Sequence, residues 1–298
     1  MERLKNCRLC PRMCGVDRSE YNKGMCGETA EIRLARAALH FWEEPCISGE
    51  KGSGTVFFSG CNLGCVYCQN RQISKGEIGK TVSVERLSEI FLELKDKGAQ
   101  NINLVTPTHF VPQIISAVQN AKMKGLNLPI VYNTSGFETR ETIHSLRNTV
   151  DVYLTDFKYF SPELAEKYSN AYTYPEAVKA SLDEMVKQQP QLLFGENNML
   201  KNGVIVRHLM LPGHLQDSKD VILYLYETYG EKIILSIMKQ YTPYKIPENY
   251  PELNRKVTDE EYEELLMFAL DLGVENAFIQ EGEVAEESFI PAFDYEGI

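Results

Sequence analysis

Three cysteines, Cys61, Cys65 and Cys68, have the type and spacing that metal chemistry requires. Their pattern is C-x3-C-x2-C, so all three thiolates lie on one short loop. A cubic four-iron, four-sulfur cluster usually takes four cysteine ligands, so a set of three leaves one iron without a protein ligand. An open coordination position is where a metal site binds and activates another molecule. A zinc knuckle or a set of redox thiols is the alternative interpretation.

A second cysteine set lies near the N-terminus, in the pattern C-x2-C-x3-C-x11-C. Glycines nearby allow the backbone to turn so that the thiolates converge. Four thiolates make a closed site, which suits either structural zinc or an auxiliary four-iron, four-sulfur cluster. The spacing lacks two separated C-x2-C pairs, which slightly favours the cluster, and both metals stay open. The predicted ligands are Cys7, Cys10, Cys14 and Cys26, whereas Cys46 is predicted to be a small packed side chain.

The elements that must position these cysteines begin near residue 54, where short apolar runs alternate with amphipathic helical stretches. This alternation is typical of βα units on a parallel sheet. The six predicted strands cover residues 55–58, 102–105, 130–132, 152–154, 204–206 and 233–237, with a further short run at 277–279. The sequence therefore predicts an α/β fold, a partial (β/α)6 TIM-like barrel with a small N-terminal cysteine-rich metal-binding segment. A full eight-unit barrel is the alternative.

Three regions follow from this pattern. Residues 1–50 form the cysteine-rich segment, residues 51–280 the barrel, and residues 281–298 an acidic tail without Lys or Arg. The tail carries Phe289, Ile290, Phe293 and Tyr295, so we expect it to cover the bottom of the barrel or to dock a partner.

Polar residues follow the predicted strands, and in parallel α/β barrels the chemistry gathers at those strand ends. Asp156 and Lys158 alternate along an extended chain, so both can point to one side; a salt bridge at the rim is the alternative role. The guanidinium fork of Arg207 suits a carboxylate. The other strand-end candidates are Thr106, Thr108, His109, Asn133, Thr134, Ser135 and His208.

The loop carrying Cys61, Cys65 and Cys68 resembles the signature loop of the radical SAM superfamily. Together with the run from Cys7 to Gly15, it resembles a branch related to pyruvate formate-lyase activating enzyme, over nearly the whole chain. The resemblance implies a four-iron, four-sulfur cluster that binds S-adenosylmethionine (SAM). One electron then cleaves a carbon–sulfur bond and releases a 5′-deoxyadenosyl radical, with the cofactor carrying the difficult step.

The resemblance also assigns site residues. Tyr67 matches an aromatic position near adenine, and the polar residues after the third strand, Asn133, Thr134 and Ser135, match contacts to SAM. Asp156-Phe157-Lys158 matches an Asp-x-Lys pair near SAM and the substrate, which implies a catalytic role. Many family members hold the SAM amino group with Gly-Gly-Glu after the second strand. Here Thr106-Pro107-Thr108 stands there, so a threonine hydroxyl or a backbone carbonyl would have to accept that contact.

Two kinds of substrate remain open, a glycine loop of a partner protein or a small molecule, and the expected reductant is a flavodoxin or ferredoxin. An iron–sulfur electron carrier or sensor without SAM cleavage is the second function. This second function explains the cysteines but does not explain why polar residues follow the predicted strands. A zinc hydrolase is disfavoured, because only His109, His208 and Asp156 offer the ligands that it needs.

Net charge and hydrophobicity limit the partners and the cellular location that we expect for the protein. The net charge of −11 disfavours a broad nucleic-acid-binding surface. No apolar stretch reaches about 18 residues, so we expect no membrane span. The N-terminus lacks the apolar core of a secretory signal, and closely spaced cysteine ligands suggest a reducing cytoplasm.

Overall fold

The computed structural model describes residues 2–280 and 291–298. Their strands form one sheet in the order β3-β1-β2-β4-β5-β6-β8-β9-β10, and β7 pairs only with β8. The strands are β1 Ile32–His40, β2 Ser53–Phe58, β3 Lys80–Val82, β4 Ile102–Val105, β5 Ile130–Thr134, β6 Val152–Asp156, β7 Leu193–Phe194, β8 Leu200–Leu209, β9 Ile234–Met238 and β10 Ala277–Ile279. The helices are α1 Pro45–Ser48, α2 Arg71–Ser74, α3 Val84–Asp96, α4 Val111–Met123, α5 Arg140–Ser145, α6 Pro162–Ser169, α7 Tyr174–Gln188, α8 Leu215–Tyr229 and α9 Asp259–Leu272.

Seven of these strands, β2, β4, β5, β6, β8, β9 and β10, run parallel to their neighbours. Helices follow six of them, and the sheet stays open between its two edge strands. The predicted α/β fold and partial barrel are confirmed. A capping box starts α9, where Thr258 accepts from the Glu261 N–H and the Glu261 side chain accepts from the Thr258 N–H.

Strands β1 and β3 were not predicted. Strand β1 runs antiparallel to β2, and β3 antiparallel to β1. Arg33 and Arg36 interrupt the apolar pattern of β1, so the sequence lacks the regular alternation that predicts a strand. Residues 32–40, which the sequence analysis assigned to the N-terminal segment, therefore lie in the same sheet as the barrel strands.

The inner face of the sheet is closed at the N-terminal ends of the strands by α1. Cys46 and Ile47 of this helix are buried in a cluster with Val131, Leu154 and Ile205. Cys46 is thus a packed core side chain. The outer face carries a much larger apolar cluster beneath the helices.

The end of the chain lies against β1. The Ala37 N–H donates to the Glu296 carbonyl at 2.8 Å, and Arg36 pairs with Asp294 at 2.6 Å. Phe293 packs on Phe57, with ring centroids 5.6 Å apart. The described part of the tail thus contacts β1 and Phe57 of β2; Phe289 and Ile290 lie outside the described residues. Within the described ranges, no helix is long and apolar enough to cross a membrane.

Candidate functional site

The loop that carries Cys61, Cys65 and Cys68 (residues 59–70, the cluster loop) begins where β2 ends. Gly60 turns the chain there with φ +83°. A Cβ at this position would lie 2.4 Å from the Cγ of Glu28 and 2.7 Å from the carbonyl oxygen of Cys26. Only glycine therefore fits at a point where the N-terminal residues press directly on the loop.

The three thiols of the cluster loop are half-buried. The Leu63 N–H donates to Cys61 Sγ at 3.4 Å, and the Ser169 hydroxyl donates to Cys65 Sγ at 3.0 Å. Burial, together with the neighbouring thiols, raises the pKa of Cys61 and of Cys68. Thiols that disfavour one another's ionisation are suited to a cation that neutralises all of them at once.

Within the described residues, no three His, Cys, Asp or Glu side chains converge tightly enough to hold a single metal ion. In a cubic cluster each thiolate binds a different iron, so the ligands stand farther apart than those of one ion. Three thiols on one loop, two of them already accepting hydrogen bonds, therefore fit a multi-iron cluster.

A chain of hydroxyl groups ends on the cluster loop. The hydroxyls of Tyr67 and Tyr159 lie 2.6 Å apart, and those of Tyr159 and Ser169 2.8 Å apart. With Ser169 donating to Cys65, Tyr159 donates to Ser169 and Tyr67 to Tyr159. Tyr67 is buried and packs edge-on against Tyr241. The predicted adenine contact thus sits in a network that supports the loop.

Asp156 and Lys158 lie together at the end of β6, with Nζ 2.6 Å from Oδ2. Burial acts to lower the pKa of Lys158, but Asp156 and the thiolates of Cys65 and Cys68 raise it. The ammonium group of Lys158 therefore stays charged and lies close enough to the cluster loop to interact with its thiolates electrostatically. The Lys158 N–H donates to the Tyr174 hydroxyl, which also contacts the carbonyl oxygen of Ser135.

The Arg207 side chain pairs with carboxylates inside the barrel. Its Nε donates to Glu44 Oε1 at 2.7 Å, and its guanidinium also pairs with Glu43. The amides of Asn103 and Asn133 donate to Glu43 Oε1 at 2.8 and 3.3 Å. Burial acts to raise the pKa of Glu44, but Arg207 holds it below its usual value. A SAM contact by Arg207 or Asn133 would have to compete with these carboxylates, which the sequence analysis did not anticipate.

The threonines after β4 and β5 meet at a buried carboxyl group. Thr106 has φ +57°, rare for a β-branched residue. The hydroxyls of Thr108 and Thr134 both donate to Glu138 Oε1, the first at 2.6 Å. Glu138 is 1% exposed, its Oε2 has no hydrogen-bond partner, and burial raises its pKa to about 7. Sequence reasoning missed Glu138, because it lies in the loop before α5 rather than at the end of a strand.

The two buried strand-end histidines are neutral. Burial lowers the pKa of His109 to about 3 and that of His208 to about 4. His109 Nε2 donates to the Ser59 carbonyl at 2.6 Å, and His208 Nδ1 donates to the Phe157 carbonyl at 2.8 Å. Each ring therefore holds a backbone carbonyl group in place by a hydrogen bond and does not act in proton transfer.

The four N-terminal cysteines line one small pocket together with Thr108 and His109. Burial raises the pKa of Cys10 to about 12 and also raises that of Cys26. Burial acts the same way on Cys14, but the Val16 and Met25 backbone groups and the charge of Arg18 outweigh it and lower the pKa of that thiol. The structure thus brings all four predicted ligands to one place.

A separate opening lies beside the cluster loop, at the mouth of the barrel. This pocket of about 450 Å³ is bordered by Gln69 of the loop, Arg71 of α2, Tyr244 and Lys245 after β9, and Phe293 of the tail.

Comparison with known proteins identifies the family. The model of the radical SAM superfamily matches residues 55–222, more than half of the chain. An uncharacterized protein of Methanocaldococcus jannaschii is 32% identical over 275 residues, covering 89% of this chain and 75% of its own length. The chain therefore belongs to the radical SAM superfamily, as its cluster loop predicted. Members of this family are enzymes, and the domain implies a four-iron, four-sulfur cluster and SAM as cofactors.

Solved structures agree on the fold. SuiB of Streptococcus suis bound to S-adenosylmethionine has a TM-score of 0.50 and 11% identity, covering 75% of this chain and 49% of SuiB. This chain thus spans about half the length of SuiB. A domain of pyruvate-formate lyase-activating enzyme from Bacteroides vulgatus matches with a TM-score of 0.41 and 12% identity, covering 59% of this chain and 91% of that domain. That last likeness is too weak to carry an argument.

Proposed function

We propose that this protein is a radical SAM enzyme that reductively cleaves SAM and uses the 5′-deoxyadenosyl radical to abstract hydrogen within the barrel. One observation carries the proposal: three cysteines on the loop after the first barrel strand face the Asp156–Lys158 pair at the mouth of the barrel. This pair places charged groups beside the thiols, which supports an enzyme that binds a charged cofactor over a carrier or sensor.

When bound, the cluster and SAM supply the one-electron cleavage of a carbon–sulfur bond. Cys61, Cys65 and Cys68 are the proposed iron ligands, and the donors on Cys61 and Cys65 reduce the negative charge on sulfur. Lys158 adds a positive charge beside them, and Asp156 fixes its position. The proposed SAM contacts are Tyr67, Thr106, Thr108, Asn133, Thr134, Ser135, Asp156, Lys158 and Arg207, with Asp156 and Lys158 as the catalytic pair.

For the substrate we favour a glycine loop of a partner protein, with a small molecule as the alternative. The Asp156-Phe157-Lys158 pattern supports an activating-enzyme-like role, and the pocket beside the cluster loop is open at the mouth of the barrel. A flavodoxin or ferredoxin would supply the electron, in the cytoplasm. The proposed division is a metal-binding segment at 1–50, the barrel at 51–280 and an acidic tail at 281–298.

The test is 5′-deoxyadenosine formation by anaerobically reconstituted, dithionite-reduced protein with SAM, compared with Cys61→Ala. We expect product from the wild type and none above background from the variant. A second readout is the electron paramagnetic resonance (EPR) spectrum of the reduced cluster, which should change when SAM is added. Protein that holds its full iron but gives neither product nor a spectral change would be a carrier or sensor instead.

A further inference from the structure

The four N-terminal thiols border one small pocket. A Cβ at Gly24 would lie 3.3 Å from Cys26 Sγ and 3.6 Å from Cys14 Sγ, so two thiols flank a position without a side chain. One bound group can therefore reach all four cysteines. Tetrahedral zinc needs four thiolates about 2.3 Å from one centre, whereas a cubic cluster fills a space between its ligands.

We propose that Cys7, Cys10, Cys14 and Cys26 bind a second four-iron, four-sulfur cluster, and that this cluster directly supports the loop that carries the first. The N-terminal site is closed, because each iron has its own thiolate. It therefore serves electron transfer or support rather than SAM binding.

Arg18 supplies the counter-charge. It is fully buried, and its guanidinium donates to the carbonyl oxygens of Glu28 at 3.2 Å and His109 at 2.6 Å. One of its nitrogens lies 3.8 Å from Cys7 Sγ. The nearby carboxylate of Glu28 is instead paired with Arg33 at 2.9 Å. A buried cation is costly without an anion beside it, and four metal-bound thiolates provide that anion where neutral thiols do not.

Two contacts join the second site to the cluster loop. The Cys61 N–H donates to the Cys26 carbonyl at 3.2 Å. One hydrogen bond therefore joins a proposed ligand of the first cluster to a proposed ligand of the second. Arg12, between Cys10 and Cys14 in the chain, donates to the carbonyls of Asn62 at 2.9 Å and Ser169 at 3.3 Å. Ser169 in turn donates to Cys65. A properly formed N-terminal site therefore holds both sides of the cluster loop in place.

The experiment uses the full chain with Cys61→Ala, Cys65→Ala and Cys68→Ala combined, which leaves the N-terminal cysteines as the intact set. The protein is reconstituted anaerobically with iron, sulfide and an equal concentration of zinc, and its metals are counted. We expect about four irons per chain in the triple variant, about eight in the wild type and only traces of zinc. About one zinc in place of the four irons, or neither metal, would overturn the proposal.

A second variant tests the support of the cluster loop. Cys10→Ala combined with Cys14→Ala should leave about four irons, with an altered EPR spectrum of the remaining cluster in the absence of SAM. An unchanged spectrum would overturn the supporting role. Cys46→Ala is the matched control, because Cys46 lies in the barrel core and should leave both iron contents unchanged. Circular dichroism checks that each variant folds. None of these measurements requires SAM cleavage, so they fail or succeed independently of the proposed function.

Discussion

At Gly60 the cluster loop lies directly against Glu28 and the Cys26 carbonyl of the N-terminal segment. In Gly60→Ala the new Cβ would meet both Glu28 and the Cys26 carbonyl, neither of which can move without shifting the cluster loop. We expect the free energy of unfolding to fall by about 2 kcal/mol or more, with less iron retained at the cluster loop. Denaturant unfolding and iron analysis under anaerobic conditions measure both effects.

Gly98 provides the matched control for that substitution. Its φ of +87° is close to the +83° of Gly60, but a Cβ there would meet nothing within 4 Å. Gly98→Ala therefore carries the same backbone strain without the clash and should cost about 1 kcal/mol. Equal losses in the two variants would show that the contact with the N-terminal residues contributes nothing.

Ser169 is expected to tune the cluster without binding it. Its hydroxyl donates to Cys65 Sγ at 3.0 Å, and donors to cluster sulfurs stabilise the more negative reduced state. Ser169→Ala should lower the midpoint potential by on the order of 40 mV, the equivalent of one hydrogen bond of about 1 kcal/mol. A potentiometric titration followed by EPR measures the shift. Tyr159→Phe, which removes only the next donor along the chain, should shift the potential less; an equal or larger shift there contradicts the role of Ser169.

At the scale of elements, the loop before α1 brings two carboxylates into the barrel. Glu44→Ala would leave Arg207 buried with only Glu43 as its partner. Removing one member of a buried ion pair costs about 3 kcal/mol, so we expect a loss of that order in the free energy of unfolding. Glu93→Ala breaks the exposed pair with Arg86 on α3 and should cost less than about 1 kcal/mol. Similar losses in the two variants would mean that the barrel interior is as well solvated as the surface.

The parallel strands could be predicted because each is a short apolar run followed by polar residues and a helix. The same regularity located Asp156 and Lys158, whose side chains do meet. Strand β1 escaped prediction because Arg33 and Arg36 interrupt its apolar pattern. The loop before α1 escaped prediction because its partners are distant in sequence. Glu43 contacts Asn103, Asn133 and Arg207, and no local pattern indicates that such a residue points into a barrel. Glu138 escaped prediction for the same reason, because its hydrogen-bond partners are hydroxyl groups at the ends of two different strands.

For the whole molecule, the buried Glu138 carboxyl links stability to pH. Burial raises its pKa to about 7 in the folded protein, above the ordinary value of 4.5. The folded state therefore binds the proton more tightly than the unfolded state between these two values. Its contribution to stability is complete below about pH 4.5, is lost as the pH rises through 7, and changes no further above that. Glu138→Gln removes the titration, so the free energy of unfolding of the variant relative to the wild type should rise between about pH 4.5 and 7 and stay level above that. Urea unfolding at several pH values measures this difference, and parallel pH profiles in the two proteins would show that the carboxyl has an ordinary pKa in the fold.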